Sequence, residues 1–268
     1  MLSNIDPVYF LTFIVPIALN LALVLYCRKK GTLNLAVLGY SFLAYFIAIG
    51  IKMAFQYLTA GFVTSRFGYT SVETAMYYGL QTSFLEVGLA YMFASYAFKK
   101  KHISAANSVS YGISLSFWEN AIYLGVLTGI SLVADFVLIS IGPSSISHLV
   151  YTTISKNDPA LLYGPVPALI STAVSILERT SSLLAHTAWG ILTVLSVATK
   201  KKVYFFIALP MGLIDALVPY ASVIGIYNFE LIVFVLSVIF IAIAAYVLRK
   251  TKGTVSPADI SSTKIGGV

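Results

Sequence analysis

The chain has 268 residues, 59% of them hydrophobic and 10% charged, with a mean hydropathy of +0.90. A soluble domain carries roughly 45–50% apolar and about 25% charged residues, so a water-soluble globule is excluded. The net charge of +7 does not indicate nucleic acid, because the basic residues form short clusters between apolar runs rather than a stripe on a polar surface. Cys27 is the only cysteine, which leaves no intrachain disulfide and no cysteine-based metal site.

In chain order, residues 1–10 lack a basic segment and carry Asp6, so the first apolar run is expected to remain as a helix rather than be removed as a signal peptide. A membrane-spanning helix needs about 20 mainly apolar residues. Seven stretches meet that need: 9–26, 36–58, 75–98, 109–127, 167–198, 203–220 and 228–248. The stretch 128–141 is apolar but short, and reads as a helical extension, an interfacial helix or a re-entrant piece. The following segment, 142–164, contains Pro143 and Asn157-Asp158-Pro159 and reads as a loop. The tail, 253–268, is rich in Gly, Ser and Thr and is expected to be disordered. The expected fold class is all-α: one transmembrane domain over residues 1–252, a bundle of about seven helices, followed by a cytoplasmic tail.

The charges orient this bundle. Arg28-Lys29-Lys30, Lys99-Lys100-Lys101, Lys200-Lys201-Lys202 and Arg249, Lys250 and Lys252 follow the first, third, fifth and seventh spans. With Lys264, they account for all but four of the 17 Lys and Arg residues. Of those four, Arg66 and Lys156 lie on the other side, and Lys52 and Arg179 lie within spans. Basic loops stay on the cytoplasmic side, which predicts the N-terminus outside and the C-terminus inside a multi-pass cell-membrane protein.

An ionisable side chain at mid-bilayer costs roughly 2.5–3.5 kcal/mol on insertion scales, so it persists where it faces partners inside the bundle. Lys52, Glu86, Glu119, Glu178, Arg179, His186 and Asp215 fall within the spans, and Asp135 falls in 128–141. Glu86, Glu119 and Asp215 lie about midway along the third, fourth and sixth spans, and His186 somewhat past the middle of the fifth. Four helices therefore bring a titratable group to a similar depth. Arg179, Ser182 and His186 share one helix face at i, i+3 and i+7, and Glu178, about 100° away, need not join that cluster. Ser116, Glu119 and Tyr123 share a face of the fourth span. Carboxylates and an imidazole held out of bulk water act as general base, general acid or metal ligands. Zinc accepts His and Asp or Glu ligands with an open water position. The same residues also suit interhelical pairing, such as Arg179 with Glu119 or Glu86, or a transport path.

Four of these segments resemble motifs of the polytopic intramembrane protease superfamily, which includes the PrsW, YhfC and CAAX-processing types and the gamma-secretase subunit APH-1. Phe117-Trp118-Glu119-Asn120 followed by Tyr123 resembles the PrsW-type Glu-Asn motif. Glu178-Arg179 followed by His186 resembles the YhfC-type Glu-Arg-to-His pattern. Met211 to Asp215 is similar to the terminal motif of His followed four residues later by Asp or Asn. Glu86 to Tyr91 falls where the family has Glu-Glu, two residues, then Arg or Lys. The resemblance runs from Glu86 to Tyr220, about half the chain. It implies an endopeptidase that activates a water for peptide-bond cleavage in or near the bilayer. Glu86 or Glu119 would be the general base, His186 and Asp215 would orient the water or bind a metal, and Arg179 would balance charge. The implied metal set is His186, Glu119 and Glu86, with zinc as the candidate cofactor. Membrane lipids and a transmembrane or lipid-proximal protein substrate are the implied partners.

Three positions depart from the pattern: Val87, Ala90 and Met211 replace a Glu, an Arg or Lys, and a His. They leave His186 as the one intramembrane histidine, with His102 in a basic cluster and His148 in 142–164. A non-catalytic scaffold like APH-1, bound to a partner membrane protein, is the first alternative. A proton- or cation-coupled transporter is the second, and it lacks the internal repeat such folds usually carry.

Overall fold

The computed structural model describes residues 4–157, 159–162 and 164–252. The tail expected to be disordered, 253–268, lies outside the described residues. Eight helices are numbered here in chain order: α1 (Pro7–Lys29), α2 (Leu35–Phe67), α3 (72–99), α4 (Ala105–Ile141), α5 (Ser144–Asn157), α6 (Pro165–Ala198), α7 (Val203–Ile224) and α8 (Ile226–Lys252). All but α3 and α5 are long and apolar enough to cross a membrane. The helix α3 is long enough, but Gln81, Thr82, Ser83 and Glu86 lower its hydropathy, and the first three of these are buried inside the bundle.

Helix starts follow local chemistry. Asp6, Asn34 and Ser71 accept hydrogen bonds from the backbone N–H groups of Val8, Val37 and Thr74, occupying donors that a first turn leaves open. Ser104 and Asn107 form a reciprocal capping box ahead of α4. Pro165 opens α6, where its missing N–H costs nothing.

Of the readings open for 128–141, the helical extension is the one found, and one other segment differs from the sequence reading. The stretch 128–141 continues α4 without a break. The segment read as a loop, 142–164, contains the 14-residue helix α5 and a 3₁₀ turn, Pro159–Leu162. Its turn formers, Pro143 and Pro159, stand just outside the helix, where proline is tolerated. Between them Ser147, Val150 and Ile154 repeat at helical spacing and pack toward α4. Ser147 donates to the Ile139 carbonyl at 2.7 Å, and Ile154 joins a cluster with Ile5, Tyr9, Leu132, Ile139 and Ala168.

The axis of the bundle is α6, with 78% of its most apolar window buried, against 17–28% in the other five spanning helices. Its second half, from Ala185 to Leu195, packs on Ala90, Ala94 and Ala97 of α3, Tyr111 and Leu115 of α4, and Ala244 and Val247 of α8. Lipid tails are as apolar as these side chains, so close van der Waals fit is what favours helix association here. Two glycines set that fit. A Cβ at Gly190 would lie 2.3 Å from Gly112 Cα, and one at Gly212 would lie 2.5 Å from Ser83 Cα. The α4–α6 and α3–α7 pairs therefore touch backbone to backbone.

The loops after α1 and α3, each preceded by a basic cluster, meet. Asn34 donates to the His102 carbonyl at 3.3 Å, Tyr40 Oη lies 2.8 Å from His102 Nδ1, and Asn107 donates to the Thr32 carbonyl at 2.7 Å. His102 is thus an exposed surface residue, and His148 is exposed on α5.

Gly190→Ala is expected to destabilise the bundle by about 1–3 kcal/mol through overpacking, whereas Gly50→Ala, with nothing within 4 Å of its Cβ position, leaves stability within about 0.5 kcal/mol. Thermal unfolding in detergent micelles checks the pair, and equal melting of the two variants would contradict the close contact.

Candidate active site

Six helices bring polar side chains to one central cavity of about 200 Å³. Lys52 comes from α2, Glu86 from α3, Glu119 from α4, Arg179, Ser182 and His186 from α6, Asp215 from α7 and Glu230 from α8. The backbone is irregular where three of the carboxylates sit. Glu86 lies in a π-helical stretch, Thr82–Val87, and Glu119 in another, Phe117–Tyr123. Wider turns of this kind recur at functional sites because they re-aim side chains. Asp215 lies in a 3₁₀ stretch, Leu209–Tyr220, that has Pro210 at its second position and contains Pro219.

The cavity holds two linked clusters. In the first, Lys52 Nζ donates to Glu86 Oε1 at 2.7 Å, Asp215 Oδ2 at 2.8 Å and Thr82 Oγ1 at 2.6 Å. An ammonium has three donors, and all three are used. In the second, His186 Nε2 lies 3.0 Å from Glu119 Oε2 and 3.5 Å from Glu86 Oε2. Ser182 Oγ donates to Glu119 Oε2 at 2.9 Å. Glu86 joins the clusters, one oxygen toward Lys52 and the other toward His186.

The histidine is oriented by its own helix. Its Nδ1 lies 3.0 Å from the Ser182 carbonyl oxygen, a pure acceptor, so Nδ1 carries a proton. Nε2 is then the nitrogen presented to the two carboxylates. It is close enough for an ion pair but fails hydrogen-bond geometry, and it counts as a buried nitrogen without a hydrogen-bond partner. A bare lone pair facing two carboxylates is repulsive, so a proton or a metal cation belongs between them. Around the whole cavity, Lys52 and Arg179 face Glu86, Glu119, Glu178, Asp215 and Glu230, an excess of negative charge that draws cations.

Arg179 Nη1 donates to Asn120 Oδ1 at 3.3 Å and lies 4.0 Å from Glu119 Oε1. Arg179 also pairs with Glu178, which does line the cavity. A long guanidinium reaches its sequence neighbour despite the 100° step between their Cβ directions. On the fourth span Ser116 turns inward, where it is buried and accepts from Asn120 at 2.9 Å. Ser116 also donates to Asn20 on α1, Tyr123 donates to Met53 Sδ, and Glu119 enters the cavity.

The structure thus brings Glu86, Glu119, Arg179, His186 and Asp215 to one cavity. Sequence reasoning missed Lys52 and Glu230 as members. Lys52 was visible as an intramembrane charge, and its partner set follows only from three-dimensional packing. Glu230 lies near the start of the seventh span, with Oε2 buried and unpartnered. Val87, Ala90 and Met211 are all buried in the apolar core. Among the described residues, no group of three or more His, Cys, Asp or Glu side chains is arranged as a formed metal site.

Fold and site together define a polytopic membrane protein with a buried carboxylate–imidazole centre. The chain belongs to the YhfC intramembrane metalloprotease family, whose family model matches residues 11–237. The matched region contains every polar cavity residue named above. No curated protein and no solved structure matches the chain.

Lys52→Met leaves Glu86 and Asp215 without their shared cation, and breaking a buried pair in this way costs about 3–5 kcal/mol. The double variant Lys52→Met/Asp215→Asn is expected to recover part of that loss. Thermal unfolding in detergent reads both, and an unchanged midpoint for Lys52→Met would show that this ion pair does not hold the site.

Proposed function

We propose that the chain is an intramembrane endopeptidase that hydrolyses peptide bonds in or near the bilayer, with its catalytic residues around the central cavity. The observation that carries this reading is His186 Nε2 held between the Glu119 and Glu86 carboxylates at 3.0 and 3.5 Å inside a polar cavity. Family membership supports the protease class, and the roles of individual residues are inferred from their contacts. The basic clusters that follow the first, third, fifth and seventh spans support an orientation with the N-terminus outside.

Glu86 Oε1 is engaged by Lys52, which leaves Glu119 as the better general base. Glu119 takes a proton from water, the resulting hydroxide attacks the peptide carbonyl carbon, and the C–N bond breaks as the proton passes to the leaving amine. The products are a carboxylate and an amine. Arg179, 4.0 Å from Glu119, supplies positive charge beside the developing oxyanion. Lys52 and Asp215 position Glu86. His186, with Nδ1 fixed by the Ser182 carbonyl, is held in one orientation throughout.

The donor set suits zinc: an imidazole nitrogen with no hydrogen-bond partner and two carboxylate oxygens, all of which are first-choice ligand types. His186, Glu119 and Glu86 would hold the ion. When bound, zinc would polarise the substrate carbonyl and lower the pKa of a bound water.

The test is cleavage of a panel of single-span substrates in liposomes. Wild type is expected to cut at least one substrate. Glu119→Gln and His186→Ala are expected to lose about 10²–10⁴-fold in rate, as for removal of a general base or its partner. Equal activity in all three, or none in any, would overturn the protease reading and favour a scaffold. Zinc content gives a second readout: wild type purified with zinc should retain about one ion per chain and His186→Ala should lose it, whereas equal zinc in the two would remove His186 from the metal set.

A further inference from the structure

Hydrolysis inside a bilayer needs water at a buried carbonyl, and the central cavity is not the only polar space in the bundle. A second cavity, of about 550 Å³, lies between α1, α4, α5 and α6. Its lining includes Tyr9 and Thr12 from the start of α1 and Thr128, Ser131 and Asp135 from the later part of α4. At about 30 Å³ per molecule it has room for more than ten waters.

Its walls are polar in a helical pattern. On α4, Thr128, Ser131 and Asp135 recur at spacings of three and four, and on α6 Ser171, Ser175 and Glu178 do the same. The two stripes face one another across the cavity. Among the described residues, the side chains of Thr128, Ser131, Ser171 and Ser175 make no hydrogen bond to the protein. Polar groups at membrane depth that the protein leaves unbonded are tolerated where they line a water-filled space.

The two cavities meet at one point. Glu178 and Arg179, paired with each other, line both. Asn120, in the wall of the second cavity, accepts from Arg179 Nη1 at 3.3 Å and donates to Ser182 Oγ at 3.1 Å. Ser182 donates in turn to Glu119 Oε2 at 2.9 Å. A continuous hydrogen-bond chain therefore runs from the second cavity to the carboxylate beside His186.

We propose that the second cavity is a hydrated vestibule that delivers water to the central cavity, with the Arg179–Glu178 pair as the gate between them. Its role in hydrolysis rests on the protease reading, but its hydration does not. The vestibule lies on the face of α4 that looks at α6. The neighbouring positions Ile130 and Val133 line a separate groove with almost no polar surface and face lipid.

Single cysteines test this in a Cys27→Ser background, since Cys27 is the only native thiol and is buried. Full-length protein in liposomes is treated with a charged, membrane-impermeant thiosulfonate. Ser131→Cys and Ser175→Cys are expected to react at least about tenfold faster than Ile130→Cys and Val133→Cys, because thiol reactivity tracks access to water and thiolate formation. Ala185→Cys, beyond the gate in the central cavity, is expected to react slowly and to speed up when Glu178→Gln breaks the pair. Labelling at Ser131→Cys and Ser175→Cys no faster than at the lipid-facing positions would overturn the vestibule. No change at Ala185→Cys on adding Glu178→Gln would overturn the gate. Fast labelling with no proteolysis of any substrate would uphold the hydrated vestibule while removing the protease reading. Proteolysis with slow vestibule labelling would overturn the vestibule and leave that reading intact.

Discussion

A charge in hydrocarbon must find an opposite charge, and the central cavity is built around how Lys52 meets that requirement. Its ammonium donates to Thr82 and Glu86 on α3 and to Asp215 on α7, at 2.6–2.8 Å. This fixes α2 against two other helices and holds Glu86 with one oxygen spent and the other turned to His186. Glu119 approaches the same histidine from α4, and Arg179 closes the ring from α6. Each group is tolerable at this depth because of its neighbours, so the cluster is one electrostatic unit rather than a set of separate pairs.

Backbone fit makes that unit possible. Gly190 against Gly112 and Gly212 against Ser83 allow α4–α6 and α3–α7 to touch. The π-helical stretches at Thr82–Val87 and Phe117–Tyr123 then turn Glu86 and Glu119 inward. The positions where family motifs carry polar residues, Val87, Ala90 and Met211, are packed into the apolar core instead. The cation that the first motif would place at Ala90 is absent, and Lys52 supplies a positive charge to Glu86 from another helix. A scaffold reading would need the cavity to be a closed set of pairs. Oε2 of Glu230 and Oγ of Ser237, both on the cavity wall, have no hydrogen-bond partner and speak for a site with capacity to spare.

Much of this was legible in the sequence. Hydropathy located the spanning helices, and the similar depths of Glu86, Glu119, His186 and Asp215 pointed to one meeting place. The shared face of Arg179, Ser182 and His186 followed from helical spacing. What was not legible had physical reasons. No residue type in Phe117–Tyr123 announces a π-helical turn, so the aim of Glu119 within the bundle is not legible. Lys52 was seen as an intramembrane charge, but its partners depend on how α2 rotates against α3 and α7. The helix α5 was hidden by prolines that flank it rather than break it. The backbone angle leaves the place of Glu178 open, because it ignores the reach of Arg179.

The central claim is that these charges work together on a water molecule. The most direct measurement is cleavage of a single-span substrate in liposomes made up in heavy-oxygen water, followed by mass spectrometry of the fragments. The account predicts one heavy oxygen in the new carboxylate of the N-terminal fragment, at a bond within or beside the span, and its loss in Glu119→Gln. Fragments lacking the label, or labelled equally by Glu119→Gln, would contradict it.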